Sequence, residues 1–161
     1  MAITKLQAEA LNLADTYAFT GTVTGAGGVN TPAFRATQGS QQSIANNTAT
    51  KLTSLTEDYD TASAFASDKF TVPSGQGGKY FFNIQVTYRT DADIQYAGIL
   101  LYKNGSSNGH AFMVNNDYND ASMTVVLTAS ASDYFEVYAQ HQQGGSQNVQ
   151  LREFSGFKII E

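Results

Sequence analysis

The run "KYFFNIQVTYR", residues 79–89, sets Tyr80, Phe82, Ile84, Val86 and Tyr88 at every second position, with Asn83, Gln85, Thr87 and Arg89 filling most of the gaps. Successive side chains of a strand point to opposite faces, so a period of two makes a ribbon with one greasy side and one wet side. A helix cannot sort these residues in that way. The greasy side needs cover, and a second sheet is the usual way to supply it. Phe82, in mid-ribbon, is therefore expected in the core.

From Pro32 to Glu161 the chain reads as strands throughout. Short β-type runs recur between Gly, Asn, Asp and Ser: "AFRAT", "TKLTSLT", "DKFTVPS", the ribbon itself, "QYAGILLYKNG", "HAFMVNN", "MTVVLTAS", "DYFEVYAQHQ" and "NVQLREFSGFKII". Nothing between them has helical periodicity. Eight to ten strands in this length suit a two-sheet jelly roll or sandwich. In "YKNGSS", Asn104 and Gly105 suit the two positive-φ positions of a type I′ hairpin turn. Phe135 and Val137 fall on one face of "DYFEVY", Tyr134 and Tyr138 on the other. The closing "FSGFKII" is apolar almost to its end, which predicts a last strand tucked into the middle of a sheet.

The stretch from Gln95 to Lys103 does not alternate. Tyr96, Gly98, Leu100 and Tyr102 share one face, Ala97, Ile99 and Leu101 the other, and both want to leave water. A partner subunit or a covering loop would close the second face. Composition points the same way: charged residues make up only 14% of 161 residues, against roughly 25% in ordinary soluble proteins. A surface so poor in charge suits packing against copies of itself.

Composition also excludes several classes. Net charge is −5 without any Lys/Arg cluster, so phosphate-neutralising nucleic-acid binding is not expected. With no cysteine there is no disulfide, thiolate metal site or cysteine nucleophile. No apolar run is long enough to insert into a membrane, and the N-terminus lacks the order of a signal peptide, which predicts synthesis in the cytoplasm.

Residues 1–31 differ from the rest. Ile3, Leu6, Ala10 and Leu13 follow the spacing of a helical seam, in either a short coil or a frayed arm. Gly21, Gly25, Gly27 and Gly28 then suggest a linker or a short strand with a flexible exit, and Asn30 breaks the glycine pattern of a phosphate loop. The expected division is an N-terminal anchor or linker arm, 1–31, and a β domain, 32–161.

In order and spacing, "EDYDTASAFASDKFTVPSGQGGKYFFNIQV", "LYKNGS", "SDYFEVYAQ" and "FSGFKII" resemble the globular heads of complement component 1q and the tumour-necrosis-factor-like superfamily. The shared skeleton is Tyr59, Asp60, Phe70, Pro73, Gly78, Tyr80, Phe82, Asn104, Gly105, Phe154, Gly156 and Phe157. The resemblance implies an all-β, ten-stranded jelly roll that assembles as a homotrimer. Tyr80, Phe82, Ile84, Tyr96, Ile99, Leu101 and Phe157 are then the residues of the trimer interface and core. "VPSGQGGKYFF" is longer than the family's turn, so loop contacts do not transfer. The N-terminal "AITKLQAEALNLADTYAFTGTVTGAGG" looks like the attachment segment of tailed-bacteriophage fibre and virion structural proteins.

Little here suggests catalysis. His110 and His141, the two histidines, are expected at polar surfaces or turns, and "EFSGF" lacks the first glycine of a nucleophile elbow. Carboxylates gather at Glu57, Asp58 and Asp60, at Asp91 and Asp93, and at Asp117 and Asp120. Solvated loops explain them. If a metal is held it would be calcium, with Asp91 and Asp93 the first candidates. No cofactor is otherwise expected. Tyr118 in "NNDYND", and His141, Gln142 and Gln143 in "HQQGGSQN", are the candidate ligand contacts, by ring stacking and amide hydrogen bonds. Together these features predict a non-enzymatic trimeric virion protein, as a fibre, spike or decoration. Its arm would meet other virion proteins, and its jelly roll a host glycan or protein. A carbohydrate-binding module free of any virion is the alternative.

Overall fold

The computed structural model describes residues 32–89, 96–113 and 119–160. The N-terminal arm, Asp91, Asp93, Asp117 and Tyr118 lie outside them. The described residues form eleven antiparallel strands in two sheets. Sheet A contains β1 (Ala33–Gln38), β2 (Gln42–Ile44), β4 (Leu55–Asp60), β6 (Gly78–Arg89), β9 (Asn119–Ala129) and β11 (Gln147–Ile160), in the order β4-β1-β11-β6-β9 with β2 beside β11. Sheet B contains β3 (Thr50–Lys51), β5 (Phe70–Thr71), β7 (Tyr96–Lys103), β8 (Ser106–Met113) and β10 (Tyr134–Gln142), in the order β3-β10-β7-β8 with β5 beside β10. The extra strands have simple causes. "TKLTSLT" divides, β3 pairing with β10 and β4 with β1, and the short β2 adds to the end of β11.

The ribbon behaves as its period demands. Tyr80, Phe82, Ile84, Val86 and Tyr88 are all buried. The closing strand β11 lies between β1 and β6, in the middle of its sheet. Phenylalanines of both sheets meet in the core: Phe34 of β1 stacks on Phe70 of β5 at 4.5 Å, and Phe82 of β6 meets Phe135 of β10 at 4.5 Å. Phe154 of β11 stands edge-on to Phe34 at 4.9 Å. Gly156 makes room for this packing. In register it lies between Phe34 and Phe82, and a Cβ there would come within 2.6 Å of Phe82 Cδ1.

Buried hydroxyls keep partners. The Tyr88 hydroxyl donates to the carbonyls of Gly98 (2.6 Å) and Gln140 (3.1 Å), and burial pushes it far above its usual range. The Tyr80 hydroxyl, raised to about 12 by burial, donates to the Gln76 carbonyl of the long β5–β6 loop. The β7–β8 hairpin turns on Asn104 (φ 53) and Gly105 (φ 77). There the Asn104 side chain donates to Asp133 and accepts from the Tyr134 N–H. Asp133 also accepts from Lys103 at 2.8 Å and from the Ser130 N–H. These bonds, that of Lys103 foremost, hold its carboxyl down at about 2.

Two outcomes are expected. Phe82→Ala should destabilise the domain by about 3–5 kcal/mol, because a buried ring contacting both sheets leaves a cavity, as denaturant melts would register. Asp133 is depressed from 3.8 to about 2 in the folded chain, so the unfolded chain takes up its proton first on acidification. Its stabilising contribution is complete above that ordinary value and disappears as the pH falls through about 2. Melting temperature followed down through this window should drop less steeply in Asp133→Asn than in the parent.

Candidate functional site

The outer face of sheet A has two unlike ends. At one end Ala33, Phe157, Phe81 and Val126 stand opposite one another across β1, β11, β6 and β9. Phe81 and Phe157 stack at 5.1 Å, both half-buried, and Val126 is 53% exposed. Ile159 and Ile160 lie exposed at the end of β11. The next outward row is polar: Arg35, Ser155, Asn83 and Thr124. Arg35 pairs there with Asp58 and with Glu153 (2.7 Å).

Further along, the alternation of β11 slips. Leu151 and Phe154 are buried, and the register shifts between Leu151 and Glu153, a bulge that places two consecutive side chains, Arg152 and Glu153, outward. Gln38 holds this bulge. Its side-chain oxygen accepts the Leu151 N–H at 3.0 Å, its amide donates to the Thr53 carbonyl, and its own carbonyl accepts from Gln150. Arg152 consequently reaches over β6, where its Nε donates to Thr87 Oγ1 at 3.2 Å. It helps to line a groove with Gln85, Thr87, Asp120 and Ser122.

Sheet B presents tyrosines outward. Tyr102 and Tyr138 stack at 3.9 Å, Lys69 Nζ lies 4.7 Å over the Tyr134 ring, and Tyr96 donates to Asn47 Oδ1. The Tyr138 hydroxyl is raised, chiefly by burial and next by the Glu136 charge. Tyr138 stands opposite Leu100, which is only 8% exposed. The outer face of β7 is therefore already shielded at Leu100 within the single chain, beside tyrosines that remain half-buried.

Tyr80, Phe82, Ile84, Ile99 and Leu101 belong to the core of a single chain, whereas Tyr96 and Phe157 lie half-buried on the outer faces of sheets B and A. His141 requires a correction. It continues the inward series Phe135, Val137, Ala139 and is fully buried, with Nε2 3.2 Å from the Ile44 carbonyl, so it is no surface contact. A carbonyl only accepts, so Nε2 is the donor in this contact, and Nδ1 has no hydrogen-bond partner among the described residues. Gln142 and Gln143 are half-buried, and the Gln143 and Gly144 N–H groups donate to Asn46 Oδ1. His110 takes its place on β8 opposite Leu100. The carboxylates near residue 58 serve the fold: Asp58 pairs with Arg35, and Asp60 accepts the N–H groups of Ala62 and Phe65. Among the described residues no three His, Asp or Glu side chains converge as a metal site, and no helix is long and apolar enough to cross a membrane.

No sequence-family model matches the chain, and no curated protein matches it in sequence. Solved structures do resemble it in shape. The globular domain of zebrafish complement 1qA superposes with a TM-score of 0.58 at 18% identity, over 81% of this chain and 98% of that one. For Eiger TNF from S. frugiperda the TM-score is 0.60 at 11% identity, over 81% and 94%. For PRD1 vertex protein P5 it is 0.62 at 13% identity, over 83% and 99%. The fold is that of the complement 1q and tumour-necrosis-factor jelly rolls. Arg152 and its groove escape a reading by alternation. The signal for them is "LREF", where two polar residues separate inward Leu151 from inward Phe154 and mark the bulge.

Proposed function

We propose that this chain is a non-catalytic, homotrimeric virion protein of a phage, a fibre, spike or decoration, with residues 1–31 attached to the particle and the jelly roll projecting to bind a surface. The observation that carries this reading is the apolar row Ala33, Phe157, Phe81 and Val126, which crosses four strands and ends in a half-exposed valine. A contiguous apolar strip on a chain so poor in charge suits burial against a second copy of itself. Threefold symmetry is what the sequence resemblance implies, and it would multiply weak contacts into avidity. Likeness in fold to a vertex protein of PRD1 supports a place on a particle.

Val126→Asp should convert the assembly into folded monomers, because a buried unpaired carboxylate is costly at an interface and harmless on a free surface. Light scattering reads the mass and circular dichroism the fold; a parent chain that is monomeric at micromolar concentration sinks the assembly. Deleting residues 1–28 should leave the trimer folded but abolish its incorporation into particles. Unfolding on truncation would show the division of the chain to be wrong.

A further inference from the structure

We propose that the groove at the polar end of sheet A's outer face binds one neutral sugar residue, a specificity that deepens the surface-binding part of the reading above and rests on it. The groove has a volume of about 220 Å³ and lies on three adjacent strands, with Arg152 from β11, Gln85 and Thr87 from β6, and Asp120 and Ser122 from β9. In register, Thr87 stands opposite Asp120 and Gln85 opposite Ser122. The volume is below the ~300 Å³ at which pockets for larger organic ligands begin, which limits the occupant to about one ring.

The polar groups set the chemistry. Arg152 only donates, Asp120 only accepts as a carboxylate, and Gln85, Thr87 and Ser122 do both. Neither Arg152 nor Asp120 has an ion-pair partner among the described residues, although both line this groove. The bulge and Gln38 hold the backbone beneath Arg152, and the Thr87 bond occupies its Nε, while its terminal amino groups have no hydrogen-bond partner among the described residues. An anion would satisfy Arg152 but meet repulsion from Asp120, and a cation the reverse. A zwitterionic amino acid would satisfy both charges and give the two hydroxyls and the amide nothing to do. Adjacent hydroxyls of a sugar ring accept from Arg152, donate to Asp120 and bond Gln85, Thr87 and Ser122, with no net charge to match a lining whose own charges cancel.

The test is titration of the full chain with glucose, galactose, mannose and N-acetylglucosamine, followed by nuclear magnetic resonance. At least one should bind saturably in the millimolar range. Arg152→Ala and Asp120→Asn, both changes at exposed side chains, should each weaken it about tenfold or more, the loss expected for a charge-assisted hydrogen bond. Lys79→Ala, at the far end of β6, should bind as the parent does. The site assignment is overturned if none of the four sugars saturates, if both groove variants bind like the parent, or if free glycine binds in their place. Light scattering on the same samples separates the two readings: sugar binding by a monomer keeps the groove and removes the assembly, and a trimer indifferent to sugar does the opposite.

Discussion

The packing of phenylalanines between the two sheets is the contact on which the rest of this molecule depends. Phe34, Phe82 and Phe154 project from sheet A, and Phe70 and Phe135 from sheet B, with ring centroids as close as 4.5 Å. With no disulfide available, dispersion and hydrophobic burial must hold the layers together, and edge-on and stacked rings supply both. The arrangement needs a gap in the central strand. Gly156 is that gap, since any side chain there would strike Phe82, the Phe81 carbonyl and Phe34.

A core so complete frees the outer faces for other uses. Tyr80, Phe82, Ile84, Val86 and Tyr88 of β6 and Val149, Leu151 and Phe154 of β11 are committed inward, so the outward residues can differ from one end of the sheet to the other. They do differ: an apolar row lies at one end and a polar groove at the other, with the Arg35, Asp58 and Glu153 cluster between them. From Phe81 to Thr87 the strand advances six residues, about 20 Å. Apolar association at one end and hydrogen bonding at the other can therefore coexist on one face. The bulge at Arg152 lets a strand that must bury Leu151 and Phe154 also place a guanidinium outside.

Alternation along single strands made much of the fold legible in advance. It marked Tyr80, Phe82 and Ile84 as inward residues, the apolar tail of β11 predicted a central strand, and Asn104 with Gly105 marked the hairpin. One error came from the same rule applied too briefly. Continued two steps beyond Val137, it puts His141 inside, where the structure has it, instead of in a polar loop. On β7 the two-sided apolar character was real: Leu100, flanked by Tyr102 on its own strand and by Tyr138 once β10 pairs with β7, is only 8% exposed.

What the sequence alone determined is whatever a period of two within one strand can encode: which residues face inward, where a turn needs positive φ, and that two sheets must enclose the aromatic residues. What only the tertiary structure decided is which strands lie side by side. Ala33, Phe81, Val126 and Phe157 are scattered along the chain, as are Gln85, Asp120 and Arg152, and each set becomes a surface only through the pairing of β1, β11, β6 and β9. The physical reason is that pairing joins residues far apart in the chain through backbone hydrogen bonds, which every residue but proline can make alike. Their side-chain neighbours are therefore set by which strands pair and in which register, which no pattern within one strand specifies.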